Sequence, residues 1–480
     1  MSKIRRLAGE TVLYGLGSIL PKFLNFFLVR LHTDVFGPEE YGVLAKLLAY
    51  VAVINVIFTF GMETAYFRFA TKPGADEKKV FNITQSVVIF ISLLFTVPFI
   101  VFANQIASFL QVPGRGDLVV WLSAIMFVDA IAAIPFARLR LQKRATLFAF
   151  YRLINIAIVI TLNVYFLKVA YDQSVGINYV FIATMAANAF YIVFFFRTLI
   201  QWRPSYDPLL SPKIATYAYP VMLTGLAGMT NEMFSRLTLD WWLPKNFYPG
   251  KTSEYALGIF AACYKFGMLM SLAVQAFRYA AEPFFFSNAA DKGSPTLFAT
   301  VNHYFIIVGC VVLLGVSLNM DLLKYFLGSP EYWEGISIVP ILLLGYLFLG
   351  VYYNISIWFK LTDKTYFGTI ITVGGAVITI VANYLLIPVA GYLGSTWAML
   401  ACYSTMTAAC YYFGQRYYPI PYNVLRSLSY IIITSLIVYG ASFISFESQW
   451  IATAFHSGVL AVYLLAVYLL EKDKFKMASS

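Results

Sequence analysis

Nine charged residues stand in stretches that are otherwise apolar: Lys22, Arg30, Asp34, Glu63, Asp129, Glu232, Arg236, Asp240 and Lys265. A charge in such a place has to face a cavity or a partner. Lys22 follows Pro21, which removes a backbone donor and bends a helix, and Asn25 lies one turn on. Glu232, Arg236 and Asp240 recur every four residues, roughly one helical face. Arginine offers a planar fork to phosphate, and lysine a point charge. Lys22, Arg30, Arg236 and Lys265 are therefore candidates for a cationic cavity that takes an anion. Asp34, Glu63, Asp129, Glu232 and Asp240 are candidate coupling or pairing carboxylates. Blander readings stand beside these. Glu232 and Arg236 could form an intrahelical pair, and Arg30 and Asp34 a pair at the outer interface. Arg68 and Arg152 could snorkel to the inner interface. Asp129 could pair with a neighbour or hold a coupling ion.

No set of side chains suggests catalysis. The histidines (His32, His303, His456) are scattered, and a metal centre needs them clustered. The four cysteines fall inside apolar stretches without metal-ligand spacing, which implies neither disulfide nor zinc. The expectation is a protein that is not an enzyme and needs no metal or cofactor.

The elements that position these charges follow from composition. The chain has 480 residues, 60% apolar and 12% charged, against roughly 25% charged in a soluble domain. Lipid must solvate much of its surface. A helix needs about 20 apolar residues to cross a bilayer, and that length marks out about fourteen spans. Their approximate limits are 9–33, 42–68, 80–104, 117–138, 148–168, 176–198, 213–240, 254–280, 301–326, 335–359, 366–388, 391–414, 426–446 and 450–470. No cleavage site follows Lys3, Arg5 and Arg6, so the first span is expected to stay.

Loop charge gives the orientation. With the N-terminus inside, inner loops hold Lys3/Arg5/Arg6, Arg68/Lys72/Lys78/Lys79, Arg138/Arg140/Lys143/Arg144 and Arg197/Arg203/Lys213, then Arg278/Lys292, Lys360/Lys364, Arg416/Arg426 and Lys472/Lys474/Lys476. Outer loops hold only Arg115, Lys168, Lys245, Lys251 and Lys324. The net charge of +11 reflects this positive-inside pattern or a basic cavity. Both termini are expected in the cytoplasm. Basic residues in short inter-span loops are not a nucleic-acid surface, and no loop is long enough for a catalytic domain.

An internal echo suggests duplication. Arg30-Leu-His-Thr-Asp34 ends the first span, Arg236-Leu-Thr-Leu-Asp240 the seventh, and each is followed by a loop into Glu-Tyr (Glu40-Tyr41, Glu254-Tyr255). Two parallel six-span copies related by a pseudo-two-fold would place the substrate path at their interface, on spans 1, 2, 7 and 8.

The ordered segments Leu28-Val29-Arg30 through Phe36-Gly37-Pro38-Glu39-Glu40-Tyr41-Gly42, Phe60-Gly61-Met62-Glu63 to Arg68-Phe69, Leu139-Arg140-Leu141-Gln142, Glu254-Tyr255-Ala256-Leu257-Gly258 to Tyr264-Lys265, Glu282-Pro283-Phe284 and Asn383 to Pro388 with Gly391 and Gly394 cover most of the chain. In these the chain resembles the polysaccharide transporter branch of the multidrug/oligosaccharidyl-lipid/polysaccharide flippase superfamily. The resemblance implies an all-α fold of fourteen helices: a lobe at 1–205, a second at 206–416, and two extra helices with a tail at 417–480. It also implies alternating access, a cationic central cavity, a groove near the last two helices for a lipid tail, and undecaprenyl-pyrophosphate oligosaccharide as substrate. A monomer in the bacterial inner membrane, coupled to proton, sodium or membrane potential, is the corresponding expectation. The alternative is a multidrug or organic-cation exporter of the same fold. Its cavity would carry more unpaired carboxylate.

Overall fold

The computed structural model describes residues 3–289, 291, 293–444, 446 and 448–479, with the backbone alone for 3–18 and 473–479. Lys292 falls outside them, and the side chains of Lys3, Arg5, Arg6, Lys474 and Lys476 are not described. Among the described residues there is no strand. The helices are α1 (Lys3–Val35), α2 (Pro38–Thr59), α3 (Met62–Ala70), α4 (Glu77–Val101), α5 (Ala103–Phe109), α6 (Gly116–Leu141), α7 (Ala145–Val164), α8 (Asn178–Phe194), α9 (Phe196–Gln201), α10 (Ser211–Trp242), α11 (Ser253–Asn288), α12 (Ser294–Leu318), α13 (Met320–Leu323), α14 (Val339–Ile355), α15 (Ile357–Leu361), α16 (Tyr366–Tyr417), α17 (Val424–Ala441) and α18 (Gln449–Ser479).

Ten described helices are long and apolar enough to cross a membrane. One of them, α16, runs 52 residues but is broken at Gly391, whose φ of 57° and ψ of −135° are not helical. That break falls where the sequence places a turn between two spans. The count of fourteen spans requires dividing α16 there and adding α1, α8 and α10. Of these, α8 is shorter, α10 is more polar and carries Glu232, Arg236 and Asp240, and α1 is described in full only from residue 19 on.

The ends of the helices have local causes. Proline occupies the first turn of α2, where its missing N–H costs nothing. Asp76 caps α4, its carboxylate accepting from Lys79 N at 3.1 Å. The span expected at 42–68 is divided: Phe60 and Gly61 both turn left-handed (φ 50° and 66°), which re-aims α3 and its Glu63.

The chain divides into two compact units, Met1–Gly258 and Ile259–Ser480. In the first, α6 packs against α2, α4, α5 and α8, α1 lies along α7, and α10 packs on α2 and α3. The first turns of α2 and α11 cross backbone on backbone. A Cβ on Gly42 would lie 2.0 Å from the Glu254 carbonyl oxygen, and one on Gly258 would lie 1.9 Å from that of Pro38. In the second unit α14 lies along α16, while α12 packs on α14, α17 and α18.

Candidate functional site

The first unit holds a polar cavity of about 460 Å³. The bend at Phe60–Gly61 brings Glu63 to its wall, and the last turn of α6 brings Arg140, which donates to the Glu63 carboxylate. Lys22, beside Pro21 on α1, lies on another wall, and Asn55 and Thr59 of α2 on a third. Arg152 of α7 enters from the far side. Its guanidinium stands 4.2 Å from the Phe136 ring centroid and donates to Tyr191 Oη at 3.3 Å. Phe136 in turn meets Tyr191, Phe195 and Phe148 edge to face, with centroids 5.0, 4.8 and 5.6 Å away. That aromatic floor orients Arg152 by cation–π contact and leaves its remaining donors for a ligand. Asp129 lines the same cavity, its Oδ1 accepting from Asn188 Nδ2 at 2.9 Å, and Asn188 Oδ1 accepts from Asn155 Nδ2 at 2.9 Å.

Of the residues the sequence singles out, Lys22, Glu63 and Asp129 therefore share one wall system. Arg140 and Arg152 complete it, though spacing alone places the first in a loop and the second at an interface. The others lie elsewhere. Arg30 is exposed near the far end of α1. Asp34 pairs with Lys168. Glu232 and Arg236 are half-buried on α10, where Arg236 Nη1 contacts Met233 Sδ at 3.3 Å. Lys265 is half-buried on α11 in the second unit. Asp240 is fully buried and bonded to the equally buried Lys46 Nζ at 2.6 Å, with Glu254 at 4.0 Å. Lys46 is a residue the sequence reading passes over, although a lone lysine inside a span is itself a signal.

The second unit has a small pocket of about 20 Å³ near Asn354, bordered by Arg278, Glu282, Tyr353 and Lys360. Lys360 Nζ bonds Glu282 at 2.6 Å, and Arg278 stands 4.7 Å from the Tyr353 ring centroid. An apolar cleft of about 640 Å³ runs between α17 and α18, past Ile437, Val462 and Leu470. Glu471 lies beside its Leu470 end, accepting from Tyr430 Oη (2.7 Å), Arg426 Nη2 (2.7 Å) and His303 Nε2 (3.0 Å).

A helical bundle with a charged cavity sunk into an apolar surround is the architecture of a membrane transporter. The fold is shared with solved structures of that class. A lipid II flippase MurJ in an inward closed conformation matches at a TM-score of 0.74 and 14% identity, covering 97% of this chain and 100% of that one. An inward-facing multidrug resistance MATE family transporter of the MOP superfamily matches at 0.63 and 13%, covering 85% and 97%. An outward-facing MATE transporter matches at 0.58 and 15%, covering 85% and 95%. No curated protein matches at the sequence level. Residues 28–293 match the family described as "Polysaccharide biosynthesis protein", and with more than half its length matched the chain belongs to that family.

Proposed function

We propose that the protein moves undecaprenyl-pyrophosphate-linked oligosaccharide from the inner to the outer leaflet of a bacterial inner membrane, by alternating access and for surface polysaccharide export. The observation that carries this reading is the charge of the first-unit cavity: Lys22, Arg140 and Arg152 against Glu63 and Asp129. A pyrophosphate head group is strongly hydrated and does not cross a bare bilayer. Arginine forks and a lysine point charge in a water-filled cavity substitute for that hydration. The apolar cleft between α17 and α18 would keep the polyprenyl tail in lipid-like surroundings. Both termini lie in the cytoplasm in this reading, following the basic loops. Residues 1–205 and 206–416 are its two moving lobes, and 417–480 its tail-binding appendix. Proton, sodium or membrane potential would supply the drive, and a monomer would suffice.

An organic-cation exporter of the same fold would need a net acidic cavity, and this one is net basic. The test is flipping in proteoliposomes of a fluorescent short-chain polyprenyl-pyrophosphate disaccharide, scored by protection from a membrane-impermeant reductant. Arg152→Gln should cut the rate at least tenfold, since a hydrogen bond to a charged group contributes about 1.5–3 kcal/mol. No flipping by the wild type, together with uptake of a cationic dye, would replace this reading with the exporter.

A further inference from the structure

We propose that Asp129 is a proton-binding site linked to the cargo: filling the cavity with a pyrophosphate group loads a proton onto this carboxylate. The inference rests on the anionic-cargo reading above.

The geometry has two parallel rungs between α7 and α8. Asn155 donates to Asn188, and three residues earlier on α7 Arg152 donates to Tyr191, three residues later on α8. Asp129 of α6 is joined to the first rung through Asn188 Nδ2, its one hydrogen-bond donor among the described residues. Asp129 is half-buried on the cavity wall, and a single neutral amide replaces only part of the water its carboxylate loses there. The cation on the same pair of rungs is Arg152, which lines the same cavity as Asp129. Arg152 is also a cation an incoming pyrophosphate would engage. Once it does, an ionised Asp129 faces added negative charge in place of a counter-ion. A proton from the cavity water removes the repulsion, and the neutral carboxyl still accepts the Asn188 bond.

The other charged groups on the cavity leave Asp129 as the responsive one. From α1 comes Lys22, from α3 Glu63, from α6 itself Arg140, from α7 Arg152 and from α8 Tyr191. Helix α2 contributes the neutral Asn55 and Thr59, and α4 sends Gln85 to the Ile131 carbonyl. In the first turn of α4, Glu77 pairs with Arg138 and Lys79 with Asp207. At the far end of α6, Asp117 and Arg115 pair with each other. Glu63 is bonded directly to Arg140 and so keeps a counter-ion when Arg152 is engaged.

The experiment is calorimetric titration of the purified full-length protein with inorganic pyrophosphate, in two buffers of different ionisation enthalpy at neutral pH. The wild type should take up about one proton more per pyrophosphate than Asp129→Asn. Infrared difference spectra of the wild type should show a protonated-carboxyl band on adding pyrophosphate, and the band should persist in Glu63→Gln, a check that holds even if Asp129→Asn does not fold. Pyrophosphate binding with equal proton uptake in both proteins, or a band lost in Glu63→Gln, overturns the assignment and leaves the anionic-cargo reading standing. If the wild type binds no pyrophosphate, that reading falls and this one with it.

Discussion

The turn after α6 and the turn after α15 are two copies of one device. Arg140-Leu141-Gln142-Lys143-Arg144 and Lys360-Leu361-Thr362-Asp363-Lys364 each carry a non-glycine residue at positive φ, Lys143 at 56° and Asp363 at 57°. Their backbones close alike, Arg144 N on Leu139 O and Lys364 N on Phe359 O, both at 2.9 Å. Each presents a cation to a glutamate, Arg140 to Glu63 and Lys360 to Glu282. Yet the first borders a cavity of about 460 Å³ and the second a pocket of about 20 Å³. The second is lined by Phe277, Phe285 and Tyr353, whereas Lys22 and Asp129 are among the residues that line the first. The turn is alike in its backbone, and the space beside it is set by the side chains around it.

The Arg-Leu-x-x-Asp echo shows the same divergence more sharply. Asp34 meets Lys168 at an exposed site, whereas Asp240 meets Lys46 with both side chains fully buried. Removing one partner of a buried pair leaves an uncompensated charge, which costs about 3–5 kcal/mol. Lys46→Ala should therefore lower the unfolding midpoint of the detergent-solubilised protein strongly. Lys168→Ala should cost no more than about 1 kcal/mol. Lys46→Met combined with Asp240→Leu should recover much of the loss, because a buried pair replaced by apolar residues is often neutral. Equal effects from the two lysine variants would show that the copies are energetically alike after all.

A smaller effect separates the two turns. Both ion pairs are partly exposed, so Arg140→Gln and Lys360→Gln should each change stability by less than about 1 kcal/mol. Pyrophosphate affinity should part them, falling roughly tenfold for Arg140→Gln, with about 1.4 kcal/mol lost, and staying unchanged for Lys360→Gln. A matched loss in both would place the anion site somewhere the two turns share.

Much of this was legible in one dimension. Most span limits fall within a few residues of the helices, because length and apolarity decide whether a segment crosses lipid, but 254–280 stops eight residues short of the end of α11 and 301–326 is displaced by seven to eight from α12. Lys22, Glu63 and Asp129 stand out because a charge in an apolar run demands an explanation. Arg140 and Arg152 do not stand out, since a cation at a span end already has one in the positive-inside rule. Asn155, Asn188 and Tyr191 carry no charge and leave no mark in the sequence, yet they hold Arg152 and Asp129 in place. The bend at Phe60–Gly61 is equally silent, for Phe60 is a residue that rarely adopts left-handed backbone. Sequence reports which residues are costly to bury, and the fold decides which of them meet.

The smallest expected effect concerns the segments that precede α10 and α17. Before α10, Asp207 accepts from Leu209 N (2.8 Å) and Leu210 N (2.7 Å) and pairs with Lys79 at 2.5 Å. Before α17, the neutral Asn423 does the capping, accepting from Arg426 N at 3.0 Å. The Lys79 hydrogen bond first, then the two backbone N–H groups, pull the Asp207 carboxyl down to about 2. A depressed carboxyl stabilises the fold above its ordinary value of about 4, and the contribution is lost as pH falls from there toward about 2. Thermal unfolding in detergent between about pH 6 and about pH 3 should thus show a slightly weaker acid dependence in Asp207→Asn than in the wild type. Asn423→Ala should shift the midpoint equally at both pH values, because an amide cap does not titrate. An Asp207→Asn profile that parallels the wild type over the whole range would mean that Lys79 and the cap hold the proton no differently in the folded and unfolded chain, and the charged linker would then be no more pH-sensitive than the neutral one.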